Sequence, residues 1–276
     1  MDRDPTEVSL PPCSSPNRLQ QATWQVHFSC PCQSYCCAQP WDLLDKEDTG
    51  ERIVNGVPCT RGSNPWQVAL FNGNEMDCSG VLIHQQWVLT VAHCHRHEYT
   101  VHMGSDLLNG PNAQKIRATE SFVYPYFSWE FQSNDIMLVK LSRPAKLSST
   151  VRKVNIPSQC VRPGTTCTVS GWGTITSPEE TYPSQLMCTN VTTISTEECL
   201  KYFVHVEKYR MVCGGTQDST SNANQGDSGG PLMCSGSLRG LVSRKPLSLF
   251  RRLNPVVFTQ ICKYRKWIYD TMRENS

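Results

Sequence analysis

The sequence predicts an all-β protein that ends in an α-helix. Short runs of apolar and β-branched residues alternate with turns rich in Gly, Pro and Asn, a pattern typical of antiparallel strands. The last part of the chain instead repeats apolar residues at helical spacing, which predicts an amphipathic helix packed on the sheets. A chain of 276 residues with 38% hydrophobic content can bury a sizeable core, as one large β domain or two smaller units. The strand-like runs lie at 81–83, 87–91, 136–141 and 238–242, and the helical positions are Tyr264, Trp267, Ile268, Thr271 and Met272.

Charge and hydropathy argue against two classes of function. The formal net charge of +2 argues against a general nucleic-acid binder, and the sequence contains no membrane span. A local basic cluster consists of Arg244, Lys245, Arg251 and Arg252. We interpret it as a solvated loop in preference to a site for heparin-like or acidic substrates.

The cysteine content predicts an oxidising compartment. Fifteen cysteines are too many for an ordinary cytosolic protein. Ten of them lie after residue 52, and their spacing alone does not define the pairing. The other five crowd the first part of the chain without the paired two-residue gaps of a zinc site, so we predict no metal there. These five are Cys13, Cys30, Cys32, Cys36 and Cys37.

Residues 1–52 are predicted to be a separate, disordered leader. Residues 1–50 contain prolines and charges but no apolar run long enough for the core of a classical signal peptide. From 42 to 52 the chain becomes acidic and polar, as expected of a flexible, cleavable linker. Secretion is therefore predicted from the cysteine content and from the family resemblance given below, not from a signal sequence.

The segment Gly-Asp-Ser-Gly-Gly-Pro at 226–231 offers a candidate nucleophile. It places Ser228 between glycines that leave its hydroxyl and the neighbouring amides open to a substrate. A serine hydroxyl is a poor nucleophile at neutral pH, so it needs a base to take its proton and a third group to orient that base.

Two further segments supply these groups. Thr-Val-Ala-His-Cys at 90–94 ends an apolar run and would fix the imidazole of His93 at the end of a strand. Asn-Asp-Ile-Met-Leu-Val at 134–139 places Asp135 at the start of another buried strand, where an unpaired carboxylate would be costly. A histidine partner would remove that cost. The order His93, Asp135, Ser228 is that of the chymotrypsin triad.

From Ile53 to the C-terminus the sequence resembles the trypsin-like serine proteases, and among them the kallikrein-related peptidases of chymotryptic type. The three segments above carry the resemblance, together with Pro-Trp-Gln-Val-Ala-Leu at 65–70 and Thr-Cys-Thr-Val-Ser-Gly-Trp-Gly at 166–173. The resemblance covers about four fifths of the chain. It implies the chymotrypsin fold, two six-stranded antiparallel β-barrels with a C-terminal α-helix, as a peptidase domain at 53–276.

The same resemblance implies how the ten later cysteines pair. Every one of them is then used, and each bridge contributes about 2–4 kcal/mol to stability. The implied pairs are Cys59 with Cys188, Cys78 with Cys94, Cys160 with Cys262, Cys167 with Cys234, and Cys199 with Cys213.

The resemblance also implies a mechanism of acyl transfer and a zymogen. His93 would act as general base and acid, Asp135 would hold the imidazole tautomer, and Ser243 would support Asp135. The amides of Gly226 and Ser228 would form the oxyanion hole. Cleavage after Arg52 would free the Ile53 amine to pair with Asp227, because a buried ammonium and a buried carboxylate need each other.

The floor of the specificity pocket is predicted to be Asn222, six residues before the nucleophile. Trypsin-like members carry an aspartate at this position. A neutral Asn222 cannot balance a buried lysine or arginine charge, so cleavage after basic residues is disfavoured. Related peptidases with asparagine there prefer aromatic or large aliphatic side chains.

The predicted pocket wall departs from the family pattern. Ser-Arg-Lys-Pro at 243–246 replaces Ser-Trp-Gly, so Lys245 stands where a glycine keeps the pocket open, and Val256 replaces a second pocket glycine. A bridged cysteine is replaced by Asn224. The sequence is compatible with cleavage after large apolar side chains and with cleavage after small aliphatic ones. An alternative function is a protease homologue with impaired catalysis that binds proteins.

The remaining predictions concern partners and modification. We expect protein or peptide substrates, an activating protease that cuts after arginine, and serpin or Kunitz-type inhibitors by family analogy. We expect a monomer with no cofactor and no metal, although His93, His95 and His97 alternate along the chain. The sequon at Asn190 is a glycosylation acceptor if the chain is secreted.

Overall fold

The computed structural model describes residues 56–173, 183–216, 227–244 and 255–276. They belong to one compact unit that spans residues 48–276. The boundary predicted between residues 52 and 53, and the leader before it, fall outside the described residues. The same holds for five predicted site residues, namely Arg52, Ile53, Asn222, Gly226 and Lys245.

Seven strands form the first antiparallel sheet, in the order β6-β5-β2-β3-β4-β8-β7. Its β-branched and large apolar residues either alternate with polar residues or form continuous runs, and most of them belong to a single buried cluster. Three of the predicted runs lie on β3, β4 and β8. The strands are β2 (Gln67–Asn72), β3 (Glu75–His84), β4 (Trp87–Thr90), β5 (Tyr99–Met103), β6 (Gln114–Ala118), β7 (Glu120–Val123) and β8 (Met137–Lys140).

The two edge strands of this sheet, β6 and β7, are separated in sequence by Thr119 alone. A single stretch of chain therefore bends at Thr119 and supplies both edges of the sheet. This explains why the sheet has seven strands where six were predicted: one strand of the predicted barrel is divided into β6 and β7.

The second sheet closes into a barrel. Its order is β1-β10-β11-β14-β13-β12-β9, and β9 also pairs with β10. Six strands, β9 to β14, therefore form a closed ring, and β1 pairs with β10 outside this ring. The strands are β1 (Val57–Pro58), β9 (Thr166–Gly171), β10 (Met187–Ile194), β11 (Met211–Gly215), β12 (Pro231–Cys234), β13 (Ser237–Arg244) and β14 (Val256–Gln260).

The chain contains a short helix, α1 (Thr196–Cys199), and ends in α2 (Arg265–Glu274). Ile268 of α2 and the preceding Tyr264 are buried in the core of the first sheet. Tyr124, just after β7, makes edge-to-face contacts with Tyr264 and Trp267 at 5.1 and 5.2 Å between ring centroids. The predicted all-β fold with a packed C-terminal helix is confirmed. No helix in the described ranges is long and apolar enough to cross a membrane.

Five disulfides join the ten cysteines that follow residue 52. Three of them close loops of more than 60 residues, so they connect parts of the chain that are far apart in sequence. The pairs are those that the family resemblance implies: Cys59–Cys188, Cys78–Cys94, Cys160–Cys262, Cys167–Cys234 and Cys199–Cys213.

A buried histidine of β5 gives the fold a pH-dependent stability. His102 stacks on Phe71 with ring centroids 4.0 Å apart, and its Nδ1 has no hydrogen-bond partner among the described residues. Burial, followed by the positive charge of Lys115, lowers the pKa of His102. Protonation therefore favours the unfolded chain: the stabilisation is complete above the unfolded pKa of about 6.5 and is lost as the pH falls below it.

We predict that His102→Phe will reduce the dependence of stability on pH. The substitution keeps an aromatic ring against Phe71 and removes the titrating group. The melting temperature of the parent protein should fall more between pH 7.5 and pH 5 than that of the variant, measured by calorimetry. Equal falls in the two proteins would contradict this explanation.

Candidate active site

His93 and Asp135 are brought into contact by two elements of the first sheet. Asp135 precedes β8, and His93 lies in a 3₁₀ turn, Ala92–Cys94, after β4. Asp135 Oδ2 lies 2.8 Å from His93 Nδ1, and Oδ1 accepts a hydrogen bond from the His93 backbone N–H at 3.0 Å. The carboxylate is fully buried, while 17% of the imidazole is exposed. An ionised carboxylate can only accept hydrogen bonds, so the imidazole proton of His93 lies on Nδ1. The other ring nitrogen, Nε2, is then free to accept a hydrogen bond.

The turn that carries His93 is held from both sides. Cys94 is bonded to Cys78 of β3, and its carbonyl accepts a hydrogen bond from the Tyr99 hydroxyl at 2.8 Å. Burial raises the pKa of Tyr99 to about 12, so the phenol remains a neutral donor. The imidazole is therefore presented by a rigid segment of backbone.

Two residues of the second barrel fix Asp135. Ser243 Oγ donates to Asp135 Oδ2 at 2.6 Å, and Thr259 Oγ1 donates to the Asp135 carbonyl at 2.7 Å. The carboxylate thus receives three donors, two from His93 and one from Ser243. Such charge-assisted hydrogen bonds offset the cost of burying an ionised group and hold its orientation.

The Ser228 turn is docked against the first sheet and the second barrel. The Ser228 carbonyl accepts from the Ser79 N–H of β3, and the Gly229 N–H donates to Val242 of β13, each at 2.8 Å. Gly229 has φ +80°, and a Cβ there would lie 2.1 Å from Thr90 Oγ1 of β4. Only glycine fits this position. The turn therefore contacts β4, which leads to His93, and Val242, which precedes Ser243.

Asp227 is completely buried next to the candidate nucleophile. Its Oδ1 accepts a hydrogen bond from the Gly173 N–H at 2.8 Å. A Cβ at Gly171 or Gly173 would lie 2.0 or 2.4 Å from the Asp227 carboxyl group, so both positions require glycine. The Gly-Trp-Gly sequence at 171–173 is thus explained by close packing around this carboxylate.

Ser243→Ala tests the contribution of the hydrogen bond to Asp135. A hydrogen bond to a charged group is worth about 1.5–3 kcal/mol, and its loss would weaken the orientation of the Asp135 carboxylate against His93. We predict a kcat lower by roughly 10-fold or more with a nearly unchanged KM, measured by peptide hydrolysis. Ser237→Ala, on the same strand, is the control; a kcat equal to that of the parent would contradict this role.

One group of metal-binding residue types is found among the described residues: Cys78, His93 and Cys94. Both thiols are joined in a disulfide, so they cannot act as thiolate ligands. His95 and His97 are exposed in the loop after the 3₁₀ turn, not on one face of a strand.

The described residues include part of the predicted substrate site. Ser243 lies in the Asp135 network, and Val256 is buried among the apolar side chains of the second barrel. Arg244 is partly buried instead of being fully solvated. The predicted glycosylation site, Asn190, is exposed on β10.

Several residues that build this site have no sequence signature of their own. Thr259, Ser79 and Thr90 act through long-range contacts, and isolated Ser or Thr residues in strands are common. The glycines at 171, 173 and 229 carried a signal, since glycine inside a strand or next to a turn often marks a close approach.

Known proteins similar to this chain agree with the fold. The trypsin family profile matches residues 53–268. Human kallikrein-7, the stratum corneum chymotryptic enzyme, is 52% identical over 234 residues, which cover 85% of this chain and 92% of the relative. Human kallikrein-14 is 39% identical, covering 84% and 88%.

The structure of neuropsin, a serine protease expressed in the limbic system of mouse brain, superimposes with a TM-score of 0.74 at 38% identity. The match covers 79% of this chain and 99% of neuropsin. The family profile and the kallikrein identities agree with this match. The chain belongs to the trypsin family and is a kallikrein-type serine endopeptidase.

Proposed function

We propose that this chain is a secreted zymogen whose activated form hydrolyses peptide bonds through His93, Asp135 and Ser228. The three-donor environment of the Asp135 carboxylate is the observation that best supports the proposal. A buried carboxylate held in this way serves to orient the imidazole of His93. A homologue that only binds proteins would have no need of this arrangement.

In the proposed reaction, His93 Nε2 takes the Ser228 hydroxyl proton while Oγ attacks the scissile carbonyl carbon. The imidazolium then donates that proton to the leaving amine, and the acyl group remains on Oγ as an ester. Water, deprotonated by Nε2, attacks the ester and releases the carboxylic acid, and the proton returns to Oγ. Asp135 remains ionised throughout.

The backbone amides of Gly226 and Ser228 would stabilise the oxyanion formed in both attacks. Their orientation depends on the turn that Asp227 begins. We propose that the Ile53 amine, freed by cleavage after Arg52, pairs with the Asp227 carboxylate and orders this turn. The complete burial of Asp227 and the glycines packed around it support a structural role for its charge.

Substrates are proposed to be proteins or peptides cut after an uncharged residue. Asn222 provides no negative charge for lysine or arginine, and the similarity to a chymotryptic enzyme favours large apolar side chains over small aliphatic ones. The five disulfides favour an extracellular location. An activating protease that cuts after arginine, and serpin or Kunitz-type inhibitors, are the partners expected by analogy.

A peptide library tests the specificity of the protein cleaved after Arg52. Its members vary only in the residue before the scissile bond: Tyr, Leu, Ala, Lys and Arg. We expect cleavage after Tyr and Leu, with Lys and Arg peptides the poorest substrates. Cleavage mainly after Lys or Arg would contradict the role of Asn222, and no cleavage of any peptide would favour a binding homologue.

A further inference from the structure

Arg244 lies at the point where β13 leaves the network of Asp135. The pairing of β13 with β14 shifts in register between Val242 and Arg244, so that Val242 faces Phe258 and Arg244 faces Val257. Ser243 is the additional residue of this bulge, and its side chain reaches Asp135. A bulge redirects the side chains on either side of it. Arg244 is therefore placed one residue from the proposed catalytic network.

The Arg244 guanidinium joins two loops beside this network. Its Nη1 donates to the Phe131 carbonyl at 3.1 Å, and its Nη2 donates to the His205 carbonyl. Its central carbon lies 5.2 Å from the centre of the Phe203 ring, within the range of a cation–π contact. One loop leads to Asp135 and the other precedes β11. Arg244 thus connects the first sheet to the second barrel next to the proposed reaction site.

The positive charge of Arg244 has no carboxylate partner within ion-pair distance in the described part of the chain. The two acceptors of its Nη atoms are neutral carbonyls, and its buried Nε has no hydrogen-bond partner among the described residues. Burial lowers the pKa of Arg244, whereas the more distant Asp135 raises it. Asp135 already receives donors from His93 and Ser243. A partly desolvated guanidinium with no carboxylate partner among the described residues favours a carboxylate brought by a ligand.

The surroundings of Arg244 indicate which ligand could bring that carboxylate. Phe131, whose carbonyl holds the guanidinium, is 42% exposed, and Trp129 on the same loop is 65% exposed. Val204, between Phe203 and His205, is fully exposed. Both loops that hold the guanidinium therefore carry exposed apolar side chains. This surface fits an extended peptide with an acidic side chain next to apolar ones.

We propose that Arg244 is a specificity-determining residue that binds an Asp or Glu side chain of the substrate within a few residues of the scissile bond. The proposal rests on the proposed function, because it names the substrate class of the same site. Arg is always charged at neutral pH and presents its donors in a planar fork, which suits a carboxylate. Substrates would then combine an uncharged residue at the cut with an acidic residue nearby.

Matched peptides test this preference. Each peptide shares one cleavable core and carries Asp, or the nearly isosteric Asn, at one of the three positions on either side of the cut. At one position the Asp peptide should have a kcat/KM about 10- to 100-fold above that of its Asn partner, as expected for a charge-assisted hydrogen bond. The ratio should fall as the salt concentration rises.

Two variants and one control assign the preference to Arg244. In Arg244→Gln the ratio should fall to about 1, while Arg244→Lys should keep part of it because the charge remains. Arg239→Gln is the control. Arg239 lies on the same strand, but its guanidinium donates to the Gln159 carbonyl and not to either of the loops that hold Arg244. It should keep the full ratio. Titration with a fluorophosphonate gives the active fraction of each protein, so a misfolded variant is recognised.

The outcomes separate this proposal from the proposed function. A parent protein that is labelled but shows no Asp preference, or an Arg244→Gln variant that retains it, overturns the proposal alone. A folded parent protein without labelling overturns the proposed function. In that case fluorescence anisotropy with the same peptides decides: tighter binding of the Asp peptide, lost in Arg244→Gln, supports the role of Arg244, and equal binding of the two peptides overturns it.

Discussion

Asp135→Asn is expected to lower kcat of the activated protein by about 10⁴-fold. In the parent protein, His93 Nδ1 and Ser243 Oγ both donate to Asp135 Oδ2. In the variant, the asparagine amide places either its carbonyl oxygen or its NH₂ group at this position. An NH₂ group facing Nδ1 favours the tautomer with the proton on Nε2. Nε2 could then no longer accept the Ser228 proton, although the fold would be kept.

Peptide hydrolysis at saturating substrate measures this effect, with the melting temperature as a check on folding. Asp106→Asn is a matched control, because Asp106 also accepts a backbone N–H, from Gly62 at 2.7 Å, but lies outside the Asp135 network. The control should change kcat little. If Asp135→Asn stays within about 10-fold of the parent protein, Asp135 does not orient the base.

Cleavage after Arg52 is expected to raise activity by about 100- to 1000-fold, the effect of gaining one oxyanion donor. Arg52→Gln, which removes the basic residue at the junction, should keep the chain in the low-activity state when the activating protease is added. Asp227→Asn should be cut normally and stay inactive, since its neutral amide cannot pair with the Ile53 ammonium. Electrophoresis follows the cut and peptide hydrolysis follows the activity.

Asp270→Asn is the control for the loss of a carboxylate. Asp270 lies on α2, where it pairs with Lys266 and Arg273 on the surface. Surface pairs of this kind contribute little to stability, so this variant should be activated like the parent protein. An uncut chain as active as the cut one would contradict the zymogen mechanism.

Much of the fold could be predicted from local patterns. The apolar runs at 81–83 and 238–242 lie on strands, those at 87–91 and 136–141 overlap strands to within one residue at each end, and Ile268 points into the core as its helical spacing indicates. These features depend on neighbouring residues and on hydrophobic periodicity. The division of one edge strand at Thr119 was not predictable, because it depends on how the sheet curves and not on a strong turn signal.

The long-range contacts of the site could not be predicted in the same way. Thr259 is 124 residues from Asp135 in sequence, and Ser243 is 108 residues away; Ser243 was identified only through the family resemblance. The contacts of Arg244 could not be predicted from the sequence either. Its sequence neighbourhood is basic and polar and indicates a solvated loop, whereas the carbonyls of Phe131 and His205 hold its guanidinium against Phe203.

Covalent labelling of Ser228 tests the central claim most directly. The full chain, produced under oxidising conditions, is cleaved after Arg52 and treated with a fluorophosphonate probe, beside Ser228→Ala prepared in the same way. Mass spectrometry should locate one probe per molecule on Ser228, with far less in the uncut chain and none in Ser228→Ala. Absence of labelling in a cleaved protein that is folded and contains all five disulfides would contradict the account.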